Sequence, residues 1–402
     1  MRKAVMYGAG NIGRGFIGAL LSQSGYAVTF IDIVEDTVSR LHLEHCYSLR
    51  IVSSDGYEDT MIENVDAIHG NNCAAVTQAI AEADIMATAV GVNVLKFIIP
   101  NITAGLRRRF QTTQEPLNII ICENLMDADK MMGRMIKEHL TAGESAQFDR
   151  QVGLVEASIG RMVPVQTPEM RDGNPLRVCV EAYGYLPVDK ESFKGEIPAI
   201  KNLVPYSPFG FYLRRKLYVH NMGHAICAYL GMYIGESFIY EAVDNPDILL
   251  IAKNAMLESL EALNAEYGSP AIDILHHIDD LLLRFTNRAL GDTCARVGGD
   301  TTRKLSASDR LIGAAKLCLA HNVLPVHIAV GAAAAVHQHL LERELPQTEA
   351  NANLILLEIS ELTGEDGLLN LILSMYQWLR QGTTPGQLRK AAQQMCARHS
   401  TI

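Results

Sequence analysis

Apolar and polar positions change rhythm along this chain. In the first half, short β-branched runs at 4–7, 27–32, 85–90, 117–123 and 152–157 alternate with segments long enough for a helix. That alternation predicts a parallel sheet whose strands are joined by crossover helices. Between 47 and 69 the period shortens to two around Ser54-Asp55-Gly56, and the Asp-Gly pair favours a tight turn, so a β-hairpin inserted into the β-α rhythm is expected. The stretch from Leu186 to Pro198 is polar and carries prolines, which places a domain boundary near 195 and divides the chain into 1–195 and 196–402. From about Phe211 onward the periodicity is helical, punctuated at Gly268-Ser269-Pro270, Gly298-Gly299, Pro325 and Pro346. An α/β domain followed by a mostly α-helical domain is the expected fold class.

Composition narrows the function classes. The 402 residues are 48% hydrophobic and 20% charged, an ordinary globular balance that argues against disorder. A net charge of −10 is the wrong sign for coating a phosphate backbone, so no nucleic-acid partner is expected. The run at 4–7 is too short for a signal peptide and the apolar run at 328–336 too short for a bilayer span, so neither export nor a membrane is expected. Eight scattered cysteines with no Cys-x-x-Cys pair fit reduced thiols and a cytoplasmic location, with no zinc ribbon.

Directly after the first strand comes Gly8-Ala9-Gly10-Asn11-Ile12-Gly13, opening a helical pattern over 11–24. In a Rossmann-like turn of this type Gly8 permits the tight bend, Gly10 lets backbone approach a pyrophosphate, and Gly13 lets helix and strand pack closely, while Asn11 and Ile12 open the helix whose N-terminus attracts the anion. Asp32 ends the second strand at the spacing of about 20 residues typical of a ribose-binding carboxylate. Neighbouring Ile33 and Val34 offer no cation for a 2′-phosphate, so NAD is expected over NADP. A ligand-free glycine turn and an FAD site carry the same fingerprint and remain alternatives.

The second chemical signal lies in 215–231, an apolar helical segment with a polar stripe. At 100° per residue from Lys216, His220 falls at about 40°, His224 at about 80° and Asn221 at about 140°, and Gly223 and Gly231 lie within about 60°, leaving room beside the lysine. A lysine there is either snorkelling to solvent or held where its pKa suits a general base. His220 and His224 at i and i+4 could ligate a metal, but no carboxylate accompanies them in sequence, so a core or substrate-side role is expected and no metal is assigned.

Lys216-x-x-x-x-Asn221-x-x-His224 downstream of Gly8-Ala-Gly-Asn-Ile-Gly-Arg-Gly15 resembles the polyol-specific long-chain dehydrogenases, most closely their branch acting on mannitol 1-phosphate. The resemblance extends over most of the chain, through Thr88-Ala-Val-Gly91, Cys122-Glu123-Asn124, Val188 to Gly195, Gly223 to Gly231 and Arg296 to Leu311. It implies NAD-dependent interconversion of mannitol 1-phosphate and fructose 6-phosphate without a metal. It assigns Lys216 as general base and Asn221 with Asn124 as the pair that polarises the carbonyl oxygen, with oxyanion-hole logic. It further implies that His224 orients substrate hydroxyls, that Thr88, Ala89 and Val90 lie along the cofactor, and that the site is an interdomain cleft. The same chemistry on a free polyol, another polyol phosphate or a hexuronate, and a dinucleotide-binding regulator without catalysis, are the alternatives. Taken alone, Asn124 also reads as a helix cap before Met126-Asp127-Ala128.

The chain departs from that family pattern at three positions: Gly160 stands where an aspartate normally precedes the arginine at 161, Val92 replaces a proline, and His220 occupies an apolar position. Arg214, Arg215, Arg303, Lys304 and Arg310 are candidate phosphate cations. Ser306-Ala-Ser-Asp309 also reads as a helix-start box that would leave Arg310 in a solvated first turn. The oligomeric state is not set by the sequence.

Overall fold

The structure is a computed structural model in which residues 1–125, 127–268, 271–364 and 367–399 are described. Met126, Ser269 and Pro270 of the motifs above lie outside the described residues. The chain divides into two compact units, Met1–Gly210 and Phe211–Ile402.

In the first unit, β1 (Arg2–Tyr7), β2 (Tyr26–Asp32), β5 (Val65–His69), β6 (Ile85–Thr88), β7 (Leu117–Ile121) and β8 (Val152–Glu156) form one sheet in the order β5-β2-β1-β6-β7-β8. Every pairing in it is parallel. Ala4 and Met6 point into one apolar layer and Val5 and Tyr7 into the other, and all four are buried, as strands covered on both faces must be. The order reverses between β1 and β6, and a doubly wound sheet binds ligands at the carboxyl ends of strands flanking such a reversal.

The expected hairpin is present as β3 (Cys46–Ser53) against β4 (Gly56–Glu63), turning at residues 54 and 55. It ends six residues earlier than 69, because Val65–His69 leaves it to pair with β2 as the sheet's edge strand. β9 (Val178–Val180) adds to β3 in parallel. The stretch from Leu186 to Pro198 is not a surface connection throughout: β10 (Leu186–Asp189) buries Leu186 and Val188 and pairs with β11 (Leu203–Tyr206). The boundary expected near 195 therefore falls inside the first compact unit, which runs to Gly210.

The second unit is helical. Met222–Ile234 is apolar all round, the pattern of a helix buried on every side, and packs against Pro246–Tyr267, Val326–Glu342 and Cys294–Gly298. Close approach depends on small residues: a Cβ on Gly331 would sit 2.3 Å from Ile226 Cγ1. No helix among the described residues is long and apolar enough to cross a membrane.

Candidate functional site

The glycine turn follows β1 at the sheet's carboxyl edge, and its three glycines differ in what they exclude. Gly8 has φ 103°, and a Cβ there would lie 2.5 Å from the Ala89 carbonyl oxygen. A Cβ on Gly13 would lie 1.9 Å from the Gly8 carbonyl oxygen, whereas one on Gly10 would meet nothing within 4 Å among the described residues. Protein packing thus demands glycine at 8 and 13, and the open side of Gly10 fits a pyrophosphate drawn close to backbone. The following helix opens at Asn11 and widens into an i→i+5 coil over Gly13–Gly18.

Asp32 sits at the end of β2 as expected, and its carboxylate also braces the turn. Oδ2 accepts the Ala9 N–H at 2.6 Å, and Oδ1 accepts the N–H groups of Ile33 at 2.7 Å and Val34 at 3.1 Å. Ile33 and Val34 are 70% and 54% exposed, an apolar shelf beside the carboxylate of the kind an adenine ring covers. The sequence reading missed Arg14, which is buried and donates to the carbonyls of Ala9 and Leu176, both at 2.7 Å, tying the turn down from behind. A charge among glycines and apolar residues was the available signal.

Thr88 ends β6, paired with Tyr7, and its buried Oγ1 has no hydrogen-bond partner among the described residues. Ala89 and Val90 continue from it towards Gly91, the N-cap of Val92–Thr112. Glu123, also overlooked, holds this loop: Oε1 accepts the Val90 N–H at 3.0 Å and Oε2 the Gly91 N–H at 2.7 Å. Asn124, the next residue, is exposed just beyond β7. It is not the helix cap, because the helix starts at Ala128 with Asp127 in the cap position. The Ala128 N–H donates instead to Glu156 at 2.8 Å. Burial, with Asp129 and Asp127 nearby, pushes the Glu156 carboxyl up to about 7.

Lys216, Asn221 and His224 share one continuous helical run over 210–234, and all three are half-buried. The run is not uniformly α-helical. Lys216–Asn221 is a π-helical turn, which changes the angular reckoning. At roughly 80° per residue in such a turn Asn221 lies within about 50° of Lys216 rather than 140° from it, so the wider turn aligns the amide with the ammonium. Gly223 and Gly231 do not leave room beside the lysine: Met256 fills the space at the first, and Ala242 and Cys294 that at the second.

His220 is buried, and burial, reinforced by Arg284 and His224, holds its imidazole well below its ordinary pKa and therefore neutral. His224 stacks on Phe285 with ring centroids 4.6 Å apart. Its Nε2 lies 3.1 Å from Asp292 Oδ2, at an angle outside hydrogen-bond geometry. Asp292 is thus a carboxylate the sequence reading did not find, 68 positions downstream, and it also binds Arg296 Nε at 2.9 Å. Burial works to raise the Asp292 carboxyl, but His224 and Arg296 outweigh it and hold it below its usual range. Among the described residues no triad of metal-ligand side chains includes His220 or His224.

The candidate phosphate cations are mostly engaged with acidic neighbours. Arg214 pairs with Glu266, Arg303 with Asp300 at 2.7 Å, and Arg310 with Asp309 at 2.7 Å, while Arg215 lies over the Tyr212 ring. Arg310 is buried rather than solvated, and 306–309 does not start a helix, since the next one begins at Ile312 behind Leu311. Lys304 is buried against the Gly299 carbonyl, and burial followed by Arg310 and Arg303 lowers it to about 8. At Gly160 a Cβ would lie 3.0 Å from the Tyr183 ring, so the space for an aspartate is partly taken by tyrosine.

Two family models cover the chain: the mannitol dehydrogenase Rossmann domain matches residues 2–202 and the mannitol dehydrogenase C-terminal domain residues 210–351. A mannitol-1-phosphate 5-dehydrogenase of Brevibacillus brevis is 36% identical over 83% of this chain and 85% of its own length. The enzyme of the same name from Bacillus subtilis is 38% identical over 81% and 86%. In fold the chain is similar to a substrate-free D-sorbitol dehydrogenase at 14% identity and TM-score 0.80, covering 96% of this chain and 94% of that one. It is also similar to Pseudomonas fluorescens mannitol 2-dehydrogenase in ternary complex with NAD and D-mannitol, at 16% identity and TM-score 0.76, covering 98% and 94%. By both halves of its sequence and by relatives matched over more than four-fifths of its length, this chain belongs to the mannitol dehydrogenase family.

Proposed function

We propose that this protein is an NAD-dependent polyol-phosphate dehydrogenase that interconverts mannitol 1-phosphate and fructose 6-phosphate, acting in the cytoplasm. The observation that carries the substrate assignment is the activity named for both bacterial relatives, matched at 36% and 38% identity. Gly8, Gly10, Asn11, Ile12, Gly13, Asp32, Thr88, Ala89 and Val90 would hold the dinucleotide, and the open side of Gly10, the unsatisfied Thr88 hydroxyl and the Ile33–Val34 shelf fit that ligand. Bound NAD supplies the hydride acceptor. Lys216 takes the proton from the carbinol hydroxyl in oxidation and returns it in reduction. Asn221, aligned with Lys216 by the π turn, donates to the same oxygen together with Asn124, stabilising charge as it develops there. His224, fixed by Phe285 and Asp292, orients a neighbouring hydroxyl, and no metal is required in these steps.

The test is oxidation of NADH by the purified protein with fructose 6-phosphate, fructose or fructuronate, and NADPH as the cofactor control. Turnover confined to fructose 6-phosphate with NADH is expected. Preference for fructose or fructuronate would reassign the substrate, and NADH binding without any turnover would replace the reading with a regulatory one.

A further inference from the structure

Outside the residues assigned to catalysis, the second unit gathers a carboxylate, an imidazole and a thiol from three helices. Glu258 comes from Pro246–Tyr267, His327 from the first turn of Val326–Glu342, and Cys396 from Pro385–His399. One donor atom from each lies within 4.8 Å of the other two. Glu258 and His327 are buried and Cys396 is half-buried, so these are not surface groups that meet by chance.

The bonding prepares the imidazole as a ligand. His327 Nδ1 lies 2.7 Å from Glu258 Oε1 and Nε2 lies 3.3 Å from the Asn254 amide; with that amide's oxygen turned to accept the Nε2 proton, Nδ1 is left basic and faces the carboxylate, where a cation takes the place of the proton the pair would share. A ligating imidazole is regularly fixed by an acceptor on its other ring nitrogen, the part the Asn254 amide plays here. The carboxylate is itself held in place, accepting the backbone N–H groups of His327 at 2.8 Å and Ile328 at 3.0 Å. Capping that helix accounts for the glutamate, but it requires neither a thiol at this distance nor the cavity of about 400 Å³ beside the three side chains. Exposed Glu261 and Asn322 line the same cavity, giving a polar approach from solvent and space for a water ligand.

We propose that Glu258, His327 and Cys396 form a structural site for one zinc-like divalent cation, with water in the fourth position, fastening the C-terminal helix to the two helices that carry the other donors. The donor set is the argument for the metal: thiolate and imidazole select borderline-soft ions over magnesium or calcium. Zinc at its usual bond lengths needs donors about 3.3–3.7 Å apart, so Nδ1 and Oε1 open from 2.7 Å and the thiol, within 4.8 Å, settles to that spacing, adjustments of rotamer scale. On binding, the Cys396 thiol gives its proton to solvent and no electron is transferred.

The probe is Co²⁺ added to metal-stripped full-length protein. A near-ultraviolet thiolate-to-cobalt charge-transfer band saturating at one ion per chain is expected, displaced by Zn²⁺ and accompanied by a rise in melting temperature. Cys396→Ser should abolish both the band and the rise while leaving turnover unchanged, and the Cys46→Ser, Cys73→Ser double variant should keep both. His327→Gln provides a second removal of a ligand. Absence of the band at millimolar Co²⁺, or its persistence in Cys396→Ser, overturns the proposal.

Discussion

Gly10 and Gly13 are glycine for different reasons, and substitution separates them. Gly13→Ala sets a Cβ 1.9 Å from a backbone oxygen that cannot swing aside, so it should destabilise the protein by about 1–3 kcal/mol or more and lower NADH affinity with it. Gly10→Ala meets nothing within 4 Å, so the melting temperature without cofactor should hold while NADH affinity falls at least about tenfold. Calorimetric titration beside a thermal melt reads both, and an unchanged affinity in Gly10→Ala would remove the pyrophosphate from this turn. Asp32→Ala should improve relative use of NADPH, and because the carboxylate braces three N–H groups it should also lower the melting temperature of the cofactor-free protein. Glu156 carries a pH signature of defined sign. Its carboxyl is raised from 4.5 to about 7 in the folded protein, so its contribution is fully present below the unfolded value and is lost as pH rises through about 7. Glu156→Gln keeps an acceptor for the Ala128 N–H and should melt above wild type at about pH 8, the gap closing towards about pH 5. The residues with motif spacing, Gly8 to Gly13, Asp32 and Lys216 to His224, could be read in one dimension. Glu123 and Asp292 could not, because each acts on a backbone or side chain that only folding brings near it, and Arg14 showed only as a charge among apolar residues, its distant partner being the Leu176 carbonyl.

At the level of elements, the least legible feature is the π turn at Lys216–Asn221. Periodicity gives a helix there, and an α and a π turn of the same six residues share the same apolar pattern, so a 100° wheel misplaces Asn221. A π turn carries one residue more than the α-helical path, which makes it testable. Deleting Leu217 takes out that surplus residue, and on the restored α-helical path the lysine and asparagine stand four residues and about 40° apart, so far-ultraviolet helicity and NADH binding should hold and turnover should stay within about tenfold of wild type. Lost helicity, or turnover down by about a hundredfold or more, would show that no surplus residue sits in this turn. Strand positions were readable from β-branched runs, whereas the edge strand Val65–His69 hid inside the hairpin's period-two pattern, because the same alternation serves antiparallel and parallel partners.

For the molecule as a whole, the α/β-then-helical order follows from the change of hydrophobic period near Phe211, which coincides with the division between the two compact units. The boundary expected near 195 fell short because polar, proline-bearing sequence can still form a strand when its alternate residues are buried, as Leu186 and Val188 are. Chemistry is distributed in the same way: the dinucleotide fingerprint lies in the first unit, and Lys216, Asn221 and His224 lie in the second. One side chain, Lys216, carries more of the proposed chemistry than any other. The most direct measurement is steady-state NADH oxidation with saturating fructose 6-phosphate by wild type and Lys216→Ala, with NADH affinity measured alongside. A fall in turnover of about 10²- to 10⁴-fold at unchanged NADH affinity is predicted for loss of a positioned base. Turnover in Lys216→Ala within a few-fold of wild type would contradict the assignment.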